Sequence, residues 1–138
     1  MTTDHTFTLD FSVRDYECDL QGIVNNAVYQ NYLEHARHQF LRSCGFDFAQ
    51  LHREGHDLVI TRCERDYKHP LRSGDAFTVY LRAERQGRVR FVFAQEIRRG
   101  DGTLILQGRF VGTCLNSNGR PGFPAKLDAL FGPYTVNR

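Results

Sequence analysis

Between residues 6 and 13 apolar and polar positions alternate strictly. Phe7, Leu9, Phe11 and Val13 fall on one side, and Thr6, Thr8, Asp10 and Ser12 on the other. A period of two is the signature of a half-buried strand. A polar loop over 14–25 follows, and the period then changes. Tyr29, Leu33, Ala36 and Phe40 recur at spacings of three and four, flanked by Val28, Tyr32 and Leu41. This wide apolar stripe predicts an amphipathic helix over 27–44 that is largely surrounded by protein. Asn25 or Asn26 supplies its N-cap, because an asparagine oxygen accepts one of the free backbone N–H groups there. Gly45 is placed to end it in a left-handed conformation, and a short helical turn is expected over 47–54.

The rest of the chain reads almost entirely as strand, over 57–67, 77–86, 88–98 and 103–115. Tight turns are expected at Gln86-Gly87 and at Gly100-Asp101-Gly102. Within 88–98, Val89, Phe91, Phe93 and Ile97 share one face, and Arg88, Arg90, Glu96 and Arg98 the other. A turn at 118–122 and a short helical segment over 125–131 close the chain. There is no internal repeat, linker or low-complexity tract, so one domain over 1–138 is expected. The order of elements predicts an α+β fold. A single long central helix must be wrapped by a strongly curved antiparallel sheet of five or six strands. The outer face of that sheet retains Val, Phe and Leu, which points to burial against a second subunit.

Composition narrows the function classes. The chain has 138 residues, 41% hydrophobic and 25% charged, ordinary for one globular domain with its own core. A net charge of +2 with no Lys/Arg run argues against a nucleic-acid partner. Cys18, Cys44, Cys63 and Cys114 form no C-x-x-C pair, which argues against zinc or a redox dithiol. Residues 1–12 lack an apolar core behind a basic start, so no secretory leader is expected. No apolar run approaches the roughly 20 residues that span a bilayer. Stable membrane insertion is therefore not expected, and the chain reads as a cytoplasmic protein with free thiols.

The chemistry concentrates between residues 13 and 40. Asp19 sits in the loop, the loop turns at Gly22, and the helix opens through Asn25 and Asn26. A helix N-terminus presents unpaired N–H donors and a partial positive charge. Such donors polarise a carbonyl while a nearby carboxylate attacks it or activates water. Asp19 alone is also an ordinary turn residue. His35 with His38, and His52 with His56, have metal-binding spacings, but no carboxylate cluster completes either set, so no metal is expected. Cys18 is one residue from Asp19 on an extended loop, so its side chain points elsewhere. Glu34 and Arg37, three apart, are expected to pair on the helix surface. There is no G-x-S-x-G elbow and no phosphate-binding glycine loop.

In this passage Asp19, Gly22, Ile23, Val24, Asn26, Tyr29, Tyr32, Glu34, Ala36 and Arg37 stand in the pattern D-x-x-G-I/V-V-x-N/H-x-x-Y-x-x-Y/F-x-E-x-A-R. With a strand before it and a four-strand meander after, the chain resembles the hotdog-fold acyl-CoA thioesterases. The nearest type is the 4-hydroxybenzoyl-CoA thioesterases, with the YbgC-like and FadM-like enzymes. The resemblance implies hydrolysis of an acyl-CoA to free acid and CoA without a metal or redox cofactor. It implies that Asp19 is the catalytic nucleophile or general base, and that the Asn26 backbone N–H polarises the thioester carbonyl. Gly22, Ile23, Val24 and Tyr29 would bound the acyl group. Arg88 and Arg90 are the favoured candidates among basic residues for the CoA phosphates, with Lys68, Arg72, Arg98 and Arg120 behind them. It also implies a homodimer or homotetramer with each site completed across an interface. Many YbgC-like members carry His where this chain has Asn26, and an Asn cannot titrate. Three alternatives stand beside this reading. One is an acyl-acyl-carrier-protein thioesterase. The second is a hotdog dehydratase or hydratase, disfavoured because no His lies in 13–34. The third is a non-catalytic acyl-thioester binding protein.

Overall fold

A computed structural model of the chain describes residues 7–133. Strand β1 (Phe7–Ser12) leads through the loop into helix α1 (Asn26–Ser43). A short helix α2 (Phe48–Arg53) follows. Then come strands β2 (Asp57–Tyr67), β3 (Ala76–Gln86), β4 (Arg90–Arg99) and β5 (Leu104–Leu115). A 3-10 turn over 125–127 runs into the four-residue helix α3 (Asp128–Phe131). The predicted Thr6 start of the first strand lies outside the described residues.

The five strands form one antiparallel sheet in the order β1-β3-β4-β5-β2. The expected four-strand meander holds only for β3, β4 and β5: β2 crosses over to pair with β5 at the far edge, and the edge of β3 that a meander would give to β2 is taken by β1. Seven residues of α1, from Tyr29 to Leu41, are buried. All but Arg37 share one hydrophobic core with Phe77, Val79, Leu81, Phe91, Phe93, Ile97, Leu106 and Phe110 of the sheet. This is the hotdog arrangement, one long helix held by an antiparallel sheet of five strands. Aromatic rings make much of the contact: Phe11 stacks on Phe77 with centroids 5.0 Å apart, and Phe91 stacks on Phe131 at 4.7 Å.

Two glycines make room for these rings. A Cβ on Gly112 would lie 2.3 Å from the Val59 carbonyl and 2.5 Å from Phe91 Cζ, and one on Gly108 would lie 2.8 Å from Phe110. The helix-facing row of β5 therefore alternates ring and gap.

The β2–β5 register shifts between Ile60 and Arg62. The extra residue, Thr61, inverts the alternation along β2. Leu58 and Ile60 before the bulge, and Cys63, Arg65 and Tyr67 after it, therefore all belong to the helix-facing row.

The outer face is more polar than the sequence pattern predicts. Val92 pairs with Val111 there, and both are already buried. Around them lie ion pairs, Arg82 with Glu84 at 2.6 Å and Arg98 with Glu96 at 2.8 Å. The exposed apolar residues of the sheet are instead on the outermost strand β2, Ile60 (39% exposed) and Tyr67 (43%).

Candidate active site

Residues 17–25 form a small hairpin that delivers the chain to α1. The Asn25 N–H donates to the Glu17 carbonyl at 3.1 Å, and the Asp19 N–H to the Ile23 carbonyl at 2.9 Å. Cys18 pairs with Val24 between them. Gly22 makes the turn with φ 79°, a conformation that favours glycine. A Cβ there would meet nothing within 4 Å, so the backbone angle rather than a close approach accounts for this glycine. Leu20, at the tip, is fully exposed.

Asp19 is half-buried on the rung opposite Ile23. Its Oδ1 accepts the N–H groups of Gln21 at 2.9 Å and Ile23 at 3.4 Å. With its amide turned to satisfy the donors and acceptors around it, Gln21 also places its side-chain nitrogen 3.1 Å from both Asp19 oxygens. The loop thus fixes one carboxylate oxygen with backbone donors and leaves Oδ2 without one.

Asn25 is the N-cap, its side chain accepting the Ala27 N–H at 2.9 Å. Asn26 is the first helical residue. Its own N–H has no intrahelical acceptor and finds none among the described residues. The start of an 18-residue helix therefore presents a free donor at its positive end. Two rungs of hairpin, about 7 Å of chain, separate the Asn25 level from the Asp19 level.

Val24 and Tyr29 anchor the loop. Both are buried in the core. The Val24 N–H donates to the Leu71 carbonyl at 2.9 Å, and the Tyr29 hydroxyl accepts the Leu71 N–H at 3.0 Å. They clamp the loop to the segment around Leu71. Burial holds the Tyr29 phenol above its ordinary pKa, against the lowering pull of the Leu71 hydrogen bond. Ile23 pairs with Arg72 on the same segment, which sets one of the secondary basic candidates beside the Asp19 loop.

Arg88 and Arg90 are elsewhere. Arg88 lies in the turn between β3 and β4, since β4 begins only at Arg90, so the two do not share a strand face. They also sit at the far end of the sheet. Tyr67, whose ring meets Tyr29, pairs with Leu106, and Leu106 with Ile97. The stretch from Ile97 back to Arg90 is about 23 Å. Within one chain neither arginine reaches the start of α1.

The basic residue that the structure does bring there is Arg65. Its guanidinium hydrogen-bonds the Gln30 side chain. With Asn26, Ala27 and Asn31 the two border an open pocket at the helix start. Alternation along β2 could not reveal this, because the Thr61 bulge sets the phase.

Glu34 and Arg37 do not pair. Glu34 turns to His38 at 3.7 Å, whereas Arg37 is buried and donates to Gln95 Oε1 at 2.9 Å. Among the described residues no group of three or more His, Cys, Asp or Glu side chains is placed to hold a metal. No helix among them is long and apolar enough to cross a membrane, and the four cysteines are unbridged.

Residues 13–131 match the family model described as the thioesterase-like superfamily. The chain is similar to the chloroplastic acyl-acyl carrier protein thioesterase ATL3 of Arabidopsis thaliana. The two are 38% identical over 125 residues, covering 89% of this chain and 66% of that protein. The chain thus spans just under two thirds of that relative's length. Among solved structures it is similar to a hypothetical protein from Aquifex aeolicus, with TM-score 0.83 and 31% identity over 91% of this chain and 99% of the other. A 1,4-dihydroxy-2-naphthoyl-CoA thioesterase from Synechocystis shares the fold, with TM-score 0.84 and 19% identity over 90% and 94% of the two chains.

Proposed function

The chain belongs to the thioesterase-like superfamily, and on that premise we propose that it hydrolyses an acyl-CoA to the free acid and CoA. The observation that carries this reading is the free Asn26 N–H at the head of α1, set two rungs from the Asp19 carboxylate. The thioester carbonyl oxygen accepts that N–H. Asp19 takes a proton from water as the resulting hydroxide adds to the carbonyl carbon, or attacks the carbon itself to form an anhydride that water then opens. In either route the negative charge gathers on the carbonyl oxygen, where one preorganised donor is worth roughly 3 kcal/mol. The C–S bond breaks as the oxyanion collapses. The leaving thiolate is stable enough to need little protonation, which suits a site with one acid and no titrating group at position 26.

Arg65 and Arg72 supply positive charge on the two sides of this region, suited to the phosphates of the substrate's nucleotide arm. The outer edge of β2 is an 11-residue strand with Ile60 and Tyr67 exposed. An edge of that length is a template for pairing. A second copy adding its own β2 there would close the site from above. Light scattering should then give an even multiple of 16.0 kDa, and a stable monomer would defeat the shared-site arrangement.

The similarity to a plant protein named for acyl carrier protein supports a second reading, in which the acyl donor is that carrier. The same apparatus serves both, since the thioester is on a pantetheine arm in each. Thiol release from matched acyl-CoA and acyl-carrier-protein esters, over short, medium, long and aromatic acyl groups, separates them. Release from neither would leave a binding protein on the same scaffold.

A further inference from the structure

The open edge of β2 carries charges that complement a second copy of themselves. Just past the strand, the Lys68 N–H donates to the Ile105 carbonyl of β5 at 2.8 Å. Stepping back by twos along the ladder, Asp66, Glu64 and Arg62 also turn their backbone groups toward β5. Cys63, Arg65 and Tyr67 therefore turn theirs to the open edge. From Ile60 to Tyr67 every residue but Arg65 is exposed. Beyond the Thr61 bulge, Arg62, Glu64 and Asp66 lie on the outer face, and Cys63 and Arg65 on the helix side. Arg62 and Glu64 pair within the strand at 2.9 Å, both with well exposed side chains.

Two identical strands that pair antiparallel are related by a two-fold axis through the sheet. Each residue then meets a partner residue of its own face, and the residue on the axis defines the register. With Arg62, Glu64, Arg65 or Asp66 on the axis, that residue meets its own copy, and like charges directly opposite one another are destabilising. With Thr61 there, two bulges fall at the centre of the new ladder and disrupt it. Among centres from Thr61 to Asp66, only Cys63 avoids both. That register covers the whole exposed stretch and sets Arg62 opposite the partner's Glu64, and Glu64 opposite the partner's Arg62.

We propose that the β2 edge binds a second copy of this chain in this register, with Cys63 on the two-fold axis and Arg62 facing the partner's Glu64. The proposal rests on the self-pairing of β2 put forward above and fixes what that pairing brings to the site. Cys63 exchanges two backbone hydrogen bonds with its copy across the axis, with Cα atoms about 5.5 Å apart. Arg65, which borders the pocket at the head of α1, comes level with the partner's Thr61, one strand spacing of about 4.8 Å away. Each pocket is therefore bordered beyond Arg65 by the bulge of the other chain, and both α1 helices lie on the same side of one continuous sheet.

Sedimentation of the full chain tests this without substrate. Arg62→Glu sets two carboxylates opposite each other on both sides of the axis, and should raise the dimer dissociation constant about tenfold at low salt, with a smaller effect at high salt. Glu64→Arg should do the same with two guanidinium groups. The double variant Arg62→Glu/Glu64→Arg restores opposite charges and should return the wild-type constant. Were Glu64 on the axis instead, the double variant would bring like charges together at every one of these positions and would be the weakest of the set. Both side chains are exposed in the single chain, so the variants keep the fold, which circular dichroism checks. Alkylation gives a second readout, because Cys63 and Cys44 are both exposed in the single chain. As the wild-type concentration rises through the dissociation constant, Cys63 should lose reactivity toward iodoacetamide and Cys44 should keep it. The proposal is overturned by a monomer at every concentration, by single variants that dimerise like the wild type, by a double variant no better than the singles, or by a Cys63 equally reactive in the dimer. A dimer that follows this charge pattern yet releases no thiol in the hydrolysis panel would keep the interface and lose the proposed reaction.

Discussion

The Tyr32 hydroxyl donates a 2.7 Å hydrogen bond to Oε1 of Glu17. The same oxygen accepts the Arg14 N–H at 2.9 Å, and the Glu17 carbonyl accepts the Asn25 N–H. One buried acid therefore joins three things: the start of the Asp19 hairpin, its end at the helix cap, and the body of α1. The proposed catalytic loop is held to the helix from inside the core rather than by its exposed tip.

This arrangement makes stability sensitive to alkali. Burial, and then the bond to Glu17, raise the Tyr32 pKa above the ordinary 10.0. Burial raises that of Tyr29 as well. Above pH 10 the unfolded chain releases these protons and the folded one retains them, so folding stability falls as pH rises through that value. Denaturant unfolding between pH 8 and 11 should show the decline, and Tyr32→Phe should flatten it. An unchanged slope in that variant would mean that Tyr32 is not the group responsible. At neutral pH the same variant should lose about 1–3 kcal/mol, because Glu17 then lacks one of its donors in a buried position.

Gly112 is fixed by space rather than by backbone angle. Gly112→Ala would bring a Cβ to 2.3 Å from the Val59 carbonyl and 2.5 Å from Phe91 Cζ. One of these is backbone of β2 and cannot rotate away. The expected loss is about 1–3 kcal/mol of stability, read by denaturant titration. A neutral Gly112→Ala would contradict the close approach of β2, β5 and Phe91.

Arg65 separates substrate binding from chemistry. Arg65→Ala removes a cation beside the head of α1 but leaves Asp19 and the Asn26 N–H in place. KM for an acyl-CoA should rise about tenfold, with kcat within about twofold. The same comparison at Arg90, about 17 Å along β4 from Gln95 at the level of Arg65, should show no change within one chain's site. An equal effect at Arg90 would place the nucleotide arm across a subunit boundary.

Much of this architecture is legible in the chain, and the failures have physical causes. The bounds of β2, 57–67, follow from the sequence to the residue, and α1 differs from expectation by one residue at each end. Local periodicity fixes such elements because each buries one face. Arg88-Val89-Arg90 continues the alternation of the next strand back through the turn, so the pattern places Arg88 in β4, which begins only at Arg90. The spacing of Arg37 from Glu34 predicts a surface pair. What sends Arg37 inward is Gln95, which reads as one polar residue in a strand and becomes a partner only when β4 crosses the helix. Alternation along β2 does not show Arg65 on the helix side, because a one-residue bulge reverses the facing of everything beyond it. Asp19 and Asn26 were legible through their resemblance to a family, and the hairpin that relates them is visible only in three dimensions.

The most direct test of the account is thiol release from the best acyl-CoA of the panel by wild type and by Asp19→Asn, with an enzyme-only blank for the four cysteines. The account predicts a fall in kcat/KM of at least about a hundredfold, with ester binding and fold retained. Equal turnover by Asp19→Asn would contradict it, and would remove the carboxylate from the reaction altogether.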